Sequence, residues 1–242
     1  MNTSKSLLLC GLAAATVLTS LPADAGVFSV TPVRIYMTPR DRAIALTLTN
    51  EGDTEVALQA DINVWSQKAD GTDELVLTED MILSPPIIKL APKARQVVRL
   101  ALLKPADASR QLTYRLIVRE VPEATASQSN TVEVPIALAL SMPVFITPPP
   151  ARREITCVAE RGAAAIAAVC SNTGTAYAQV REVTLKRADA SLARFEGGEY
   201  ILPGARKAIA LKAGAQPAPA GPAQLTVLFD DGKNQVFDIT LP

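Results

Sequence analysis

The chain is expected to be all-β and built as two sandwiches, and three observations lead there. Apolar residues recur at every second position in run after run, Pro, Gly, Asn and Asp turn signals separate the runs, and no segment sustains a capped helical period. A polyproline stretch, Thr147-Pro148-Pro149-Pro150-Ala151, divides the series, and the character of the sequence changes after it. With 242 residues, 48% of them apolar, a sizeable core is available.

The first 25 residues read as a processing signal rather than as fold. Lys5 supplies a positive start, Leu7 to Leu18 an apolar core, and Ala23-Asp24-Ala25 a cleavage site, so the mature chain is expected to begin at Gly26. The apolar core is shorter than the roughly 20 residues a membrane-spanning helix needs. Cys10 lies too early, behind bulky Leu9, for a lipid-modified cysteine.

From there, strands are expected over Phe28–Met37, Ala43–Thr49 and Val56–Trp65, with shorter ones at Leu75–Thr78 and Ile82–Leu83. The turn Asn50-Glu51-Gly52-Asp53 follows the second of these, and Lys89 to Ala94 forms another that feeds Gln96–Leu102. Leu112–Val121 is strand-like again. Thr131–Phe145 is the longest strict alternation in the chain, with Val134, Ile136, Leu138, Leu140 and Met142 on one parity. Pro135 and Pro143 remove ladder donors from one side of it, which marks a long edge strand. About seven strands with turns between them is the pattern of an immunoglobulin-like sandwich.

This assigns residues 26–147 to a first domain, 148–151 to a proline linker and 152–242 to a second domain. In the second, strands are expected at Glu154–Val158, Ala163–Cys170, Ala178–Lys186, Tyr200–Leu202, Ala208–Leu211, Leu225–Asp230 and Val236–Leu241, with Asp231-Gly232 turning the last hairpin. Cys157 and Cys170 are the only cysteines past the signal, an even pair in an exported chain. A disulfide is favoured over a two-thiol metal site, which lacks further ligands.

Composition also excludes functions. Lys plus Arg and Asp plus Glu both number 24, so no net charge draws the protein to nucleic acid or anionic membrane. Histidine is absent, which removes His-dependent nucleophilic catalysis and nearly every catalytic zinc site, and no nucleophile-elbow or P-loop pattern is present. No enzyme activity, cofactor or metal is expected.

Four segments together resemble the periplasmic chaperones of chaperone-usher pilus assembly: Val30-Thr31-Pro32-Val33-Arg34, Pro85 to Arg99, Tyr114 to Pro122, and Ile136 to Phe145. The resemblance implies two immunoglobulin-like domains in a boomerang-like arrangement, a periplasmic location, and pilin-like subunits and an outer-membrane usher as partners. It further implies that the strand over residues 131–145 completes a subunit's missing strand. Val134, Ile136, Leu138 and Leu140 would then be the side chains donated to the subunit groove, and a basic pair in the cleft would anchor the subunit's terminal carboxylate. Arg34 matches the arginine of that pair. Pro143 stands at the lysine position, so Arg115 on the preceding strand is the expected substitute. Gln111, Ile117 and Thr147 replace the polar and charged residues that link the domains of better-known members. These departures resemble the archaic branch, which also serves spore-coat-U-like subunits.

Two other readings remain open. One is a two-domain surface or adhesion module whose alternating strand is buried in its own core; the other is a secreted carboxylate-dependent hydrolase, for which no convincing acidic pair is visible. An exposed apolar edge also leaves self-capping of the free protein open.

Overall fold

The computed structural model describes residues 28–122, 137–162, 165–214 and 218–242. The signal segment 1–25 and the expected donor residues Val134 and Ile136 lie outside the described residues. Every regular element among them is a strand, and no helix is long and apolar enough to cross a membrane.

The first half contains β1 (Phe28–Thr31), β2 (Ile35–Met37), β3 (Ala43–Asn50), β4 (Val56–Gln67), β5 (Asp73–Leu77), β6 (Met81–Ser84), β7 (Ile87–Leu90), β8 (Arg95–Leu102), β9 (Leu112–Glu120) and β10 (Ala139–Ile146). One sheet is ordered β1-β3-β8-β6 and the other β2-β10-β9-β4-β5, with β7 also on β4. Period-two patterning places the core between them: Leu46, Leu48 and Leu100 reach it from the first sheet, Leu58, Leu116 and Val144 from the second.

Two expectations are corrected here. Phe28–Met37 is not one strand: the chain leaves the first sheet after Thr31 and resumes at Ile35 in the second. Phe28 and Val30 face the core from one sheet and Ile35 and Met37 from the other, so both halves bury their apolar parity. Pro32, with no N–H to give a ladder, sits at the crossing. The expected edge strand over Thr131–Phe145 is described from Ala137, is regular from Ala139, and is an edge only in part. Val144–Ile146 pair in parallel with β2, whereas Ala139–Pro143 have β9 as their only described neighbour.

The second half contains β11 (Ile155–Arg161), β12 (Ile166–Asn172), β13 (Ala178–Arg187), β14 (Ala190–Ile201), β15 (Arg206–Ala210), β16 (Lys212–Ala213), β17 (Gly221–Phe229) and β18 (Asn234–Leu241). They form sheets ordered β11-β12-β15 and β16-β14-β13-β17-β18 around a second core that includes Ala168, Val180, Leu185, Leu225 and Phe229. Cys157 and Cys170 are directly opposed on β11 and β12 and form the expected disulfide inside that core. Strand β14 runs well beyond the expected Tyr200–Leu202. Its length hides behind charge: Arg194 pairs with Glu182 across the strands and with Glu196 beside it, so polar residues that read as loop lie on the solvent face of a sheet.

Candidate functional site

The site begins on β10. Leu140, Met142, Val144 and Ile146, with Leu138 just before the strand, form the row that faces the first core. Burial falls along this row: Ile146 and Val144 are 0% exposed and Met142 4%, while Leu140 and Leu138 are only partly buried. The row therefore runs past the end of its own core. At one end Thr147 donates its N–H to the Met37 carbonyl (2.8 Å), and at the other Glu120 donates to the Leu138 carbonyl (2.9 Å). Backbone groups alternate sides along a strand, so Ala139, Ser141 and Pro143 turn theirs away from β9. That side offers N–H and C=O at Ala139 and Ser141 but only C=O at Pro143.

Arg115 lies on the opposite face of the same sheet, and Arg34 immediately precedes β2 beside it. Pro143 is aligned with Arg115 of β9, and Val144 with Ile35 of β2, so Arg115 and the Arg34 that leads into β2 come from either side of Pro143. Arg115 lies over Trp65, its guanidinium carbon 3.8 Å from the ring centroid, and is 5.6 Å from that of Tyr200. Burial lowers the pKa of Arg115, against the pull of Asp73 and Tyr200; a guanidinium so lowered remains charged at neutral pH. Burial also acts to lower Arg34, but Tyr200, Tyr36 and Asp230 outweigh it and raise its pKa. Asp230 Oδ2 is 4.0 Å from Arg34 Nη1.

Around these cations the two sandwiches meet through aromatic rings. Phe145 stacks on Tyr177 with centroids 4.0 Å apart and on Tyr36 at 5.9 Å, and Trp65 meets Tyr200 edge-on at 5.1 Å. Trp65, Phe145 and Leu202 are buried as a third apolar cluster. Hydrogen bonds fix the junction: Gln67 donates to the Tyr200 carbonyl and accepts from the Leu202 N–H, both at 2.9 Å. Gln111 donates to Thr147 Oγ1 at 2.6 Å and accepts from the Tyr177 N–H at 2.9 Å. Gln111, at one of the positions where the resemblance implies a charged residue, thus links the halves as a neutral side chain, and Thr147, at another, holds it from within the first half. Gly71, at the tip of the β4–β5 hairpin, lies against the backbone of Arg206; a Cβ there would sit 2.7 Å from the Arg206 carbonyl.

Tyr36 lies 3.2 Å from the Tyr177 hydroxyl, which donates to Asp230 Oδ2 at 3.0 Å. Burial raises the Tyr177 pKa strongly, so this hydroxyl stays protonated and remains a donor. Tyr36, Gln111, Tyr177, Asp230 and Lys233 line a cleft of about 470 Å³ between the halves. Among the described residues no cluster of His, Cys, Asp and Glu is placed to hold a metal. The arrangement offers a strand edge with no partner among the described residues, a partly covered apolar row and two cations beside aromatic rings. These suit a strand-shaped ligand and an anion.

Asp230, Tyr177 and Gln67 were not among the expected site residues. Tyr36 and Phe145 carry a legible signal, since each puts an aromatic ring on the outward parity of its strand. Nothing local marks Asp230, which meets Arg34 only through the packing of two domains.

No curated protein matches the chain. Among solved structures, it is similar to a chain of the CsuC–CsuE chaperone–tip adhesion subunit pre-assembly complex from archaic chaperone-usher Csu pili of Acinetobacter baumannii. The identity is 19% and the TM-score 0.65, over 90% of this chain and 100% of that one. It is similar to a chain of the Salmonella enterica SafA pilin–SafB chaperone complex at 15% identity and TM-score 0.58, over 88% of this chain and 96% of that one. The Pseudomonas aeruginosa CupB2 chaperone gives 17% and 0.56, over 88% and 100%. At such identities these likenesses establish the two-sandwich immunoglobulin-like fold. Residues 27–151 match the family described as pili and flagellar-assembly chaperone, PapD N-terminal domain, and the chain accordingly belongs to that family of pilus chaperones.

Proposed function

We propose that this protein is a periplasmic chaperone that binds a pilin-like subunit by adding the 131–145 strand to it and then delivers the subunit to an outer-membrane usher. The observation that carries the reading is the row on β10 that outruns its own core beside a backbone edge with no partner strand among the described residues. A subunit lacking one strand supplies what both features need, a groove for Leu138 and Leu140 and a ladder for Ala139 and Ser141. Each leucine newly covered stabilises the complex by up to roughly 1.5–3 kcal/mol before association costs, less for the part already buried. Val134 and Ile136 extend the same parity. Arg34, with Arg115 across Pro143, receives the subunit carboxylate in this reading. The neighbouring structures, two of them chaperone–subunit complexes by their own descriptions, support the same partner class.

The test is co-expression with a candidate subunit that lacks its last strand. A soluble one-to-one complex is expected, and Arg34→Glu is expected to abolish it; a folded chaperone that recovers no subunit refutes the reading. One observation favours the self-buried module instead, the packing of Leu138 and Leu140 against the first core. Hydrogen exchange separates the two: fast exchange at Ala139 and Ser141 that slows with subunit belongs to the chaperone, slow exchange in the free monomer to the module.

A further inference from the structure

Asp230 follows β17 in the second sandwich, and its carboxylate reaches the guanidinium of Arg34 on the first. Oδ2 is the shared atom: it accepts the Tyr177 hydroxyl at 3.0 Å and stands 4.0 Å from Arg34 Nη1. The first contact is a hydrogen bond; the second is too long for one, so Asp230 does not itself close the planar N–H fork of Arg34. The Asp230 and Arg34 side chains are 17% and 34% exposed, so the pair is open to solvent in part, with Asp230 on the wall of the cleft. The adjacent carboxylate is otherwise engaged, since Asp231 takes two bonds from Arg153 at 3.0 and 3.1 Å.

We propose that Asp230 is a built-in competitor for the Arg34 anchor, supplied by the second sandwich and held in place by Tyr177. The inference rests on the reading of Arg34 as a carboxylate anchor. An arriving carboxylate forms short, bidentate, charge-assisted bonds that the 4.0 Å contact does not match, so it wins the guanidinium. It must do so beside a second fixed negative charge, and the repulsion lowers its affinity. A small free anion has only the ion pair with which to offset that repulsion. A subunit also adds a strand ladder at Ala139 and Ser141 and covers Leu138 and Leu140. Asp230 therefore sets a threshold that passes ligands presenting a strand together with a carboxylate, and rejects those presenting charge alone.

The test titrates a hexapeptide of alternating Val and Thr with a free C-terminal carboxylate, and the same peptide as its C-terminal amide, into the full chain by calorimetry. The proteins are the wild type, Asp230→Asn, Arg34→Ala and the double variant. Asp230→Asn is expected to bind the acid about 5-fold more tightly, the scale of one like-charge contact in a partly solvated cleft, with amide binding unchanged. Arg34→Ala is expected to reduce acid binding to the amide level with or without Asp230. If Arg34→Ala does so and Asp230→Asn leaves acid binding equal or weaker, the competitor is overturned and the anchor stands. If Arg34→Ala has no effect, or the wild type does not distinguish acid from amide, the anchor falls and takes the competitor with it. A readout that needs no variant is NMR of the labelled wild type. The Asp230 carboxyl carbon and the Arg34 Nε resonance are expected to move together with added acid, and movement of Arg34 alone overturns the proposal.

Discussion

The two sandwiches turn one corner in the same way and use it for different ends. Asn50 closes β3 and Asn172 closes β12, each followed two residues later by glycine, and the two residues are 0% and 1% exposed. Each Nδ2 donates to the carbonyl four residues on, Thr54 at 2.7 Å and Ala176 at 2.8 Å, and to a strand end across the sandwich, Leu90 and Ile201, both at 3.0 Å. Each Oδ1 accepts the following glycine N–H, from Gly52 at 2.9 Å and Gly174 at 3.0 Å. The facing turns match too: Ala94 donates to Ala91, and Ala205 to Leu202. One difference bears on docking. The first corner has exposed Ala91 where the second has Leu202, buried with Trp65 and Phe145. A local device repeated in both domains becomes a docking point in one of them through a single larger side chain.

Removing the amides is the strongest way to break the likeness. Asn50→Ala and Asn172→Ala each leave several backbone groups without partners, and each unmet buried group costs about 1–3 kcal/mol. A loss of about 4 kcal/mol is expected from either variant, read as a lower urea midpoint in its own sandwich. A loss at Asn50 and none at Asn172 would end the comparison.

The disulfide is an asymmetry, since only the second sandwich has one. Cys157 and Cys170 are 13 apart in sequence, and replacing both with alanine is expected to cost about 3 kcal/mol from the restored freedom of the unfolded loop. The loss belongs to the second sandwich alone. The subunit capture proposed for β10, measured at a temperature where the variant is still folded, is expected to be unchanged.

Leu202→Ala tests the divergence itself. Truncating a buried leucine in the Trp65–Phe145 cluster is expected to cost about 2–3 kcal/mol and to separate the unfolding of the two sandwiches into distinguishable transitions. Ala91→Leu, on an exposed turn, is expected to change neither. If Leu202→Ala leaves calorimetric unfolding as it was, the corner does not couple the domains.

What was legible in the sequence follows from how far each signal reaches. Strands such as β3 and β9 need only period two, and Leu46, Leu48, Leu116 and Val118 declare it locally. The turns at Asn50 and Asn172 were visible as turns. That Asn50 would reach Leu90, 40 residues away, was not, because a turn signal carries no address. The break after Thr31 was hidden because both fragments keep an apolar parity, and β14 because its charged residues pair across a sheet. Of the proposed site, Leu138 and Leu140 stood out by alternation and Arg34 and Arg115 by family likeness. Asp230 depends on the meeting of two domains and leaves no local trace.

The smallest expected effect concerns backbone hand. Lys93 and Gly204 occupy matching turn positions with φ of 58° and 83°, a region that costs any side-chain-bearing residue about 1 kcal/mol. A Cβ on Gly204 would meet nothing within 4 Å, so Gly204→Ala isolates that backbone term, and a loss of about 1 kcal/mol is expected. Lys93 already bears the strain, but its Nζ donates to the Glu51 carbonyl and pairs with Asp53 at 3.0 Å. Lys93→Gly relieves the backbone, loses those exposed contacts and gives the unfolded chain more freedom, so its net effect is expected within about 0.5 kcal/mol of zero by urea denaturation. A clear gain for Lys93→Gly would mean that the side-chain contacts contribute nothing. The lysine would then be a cost carried by the first corner that the second avoids.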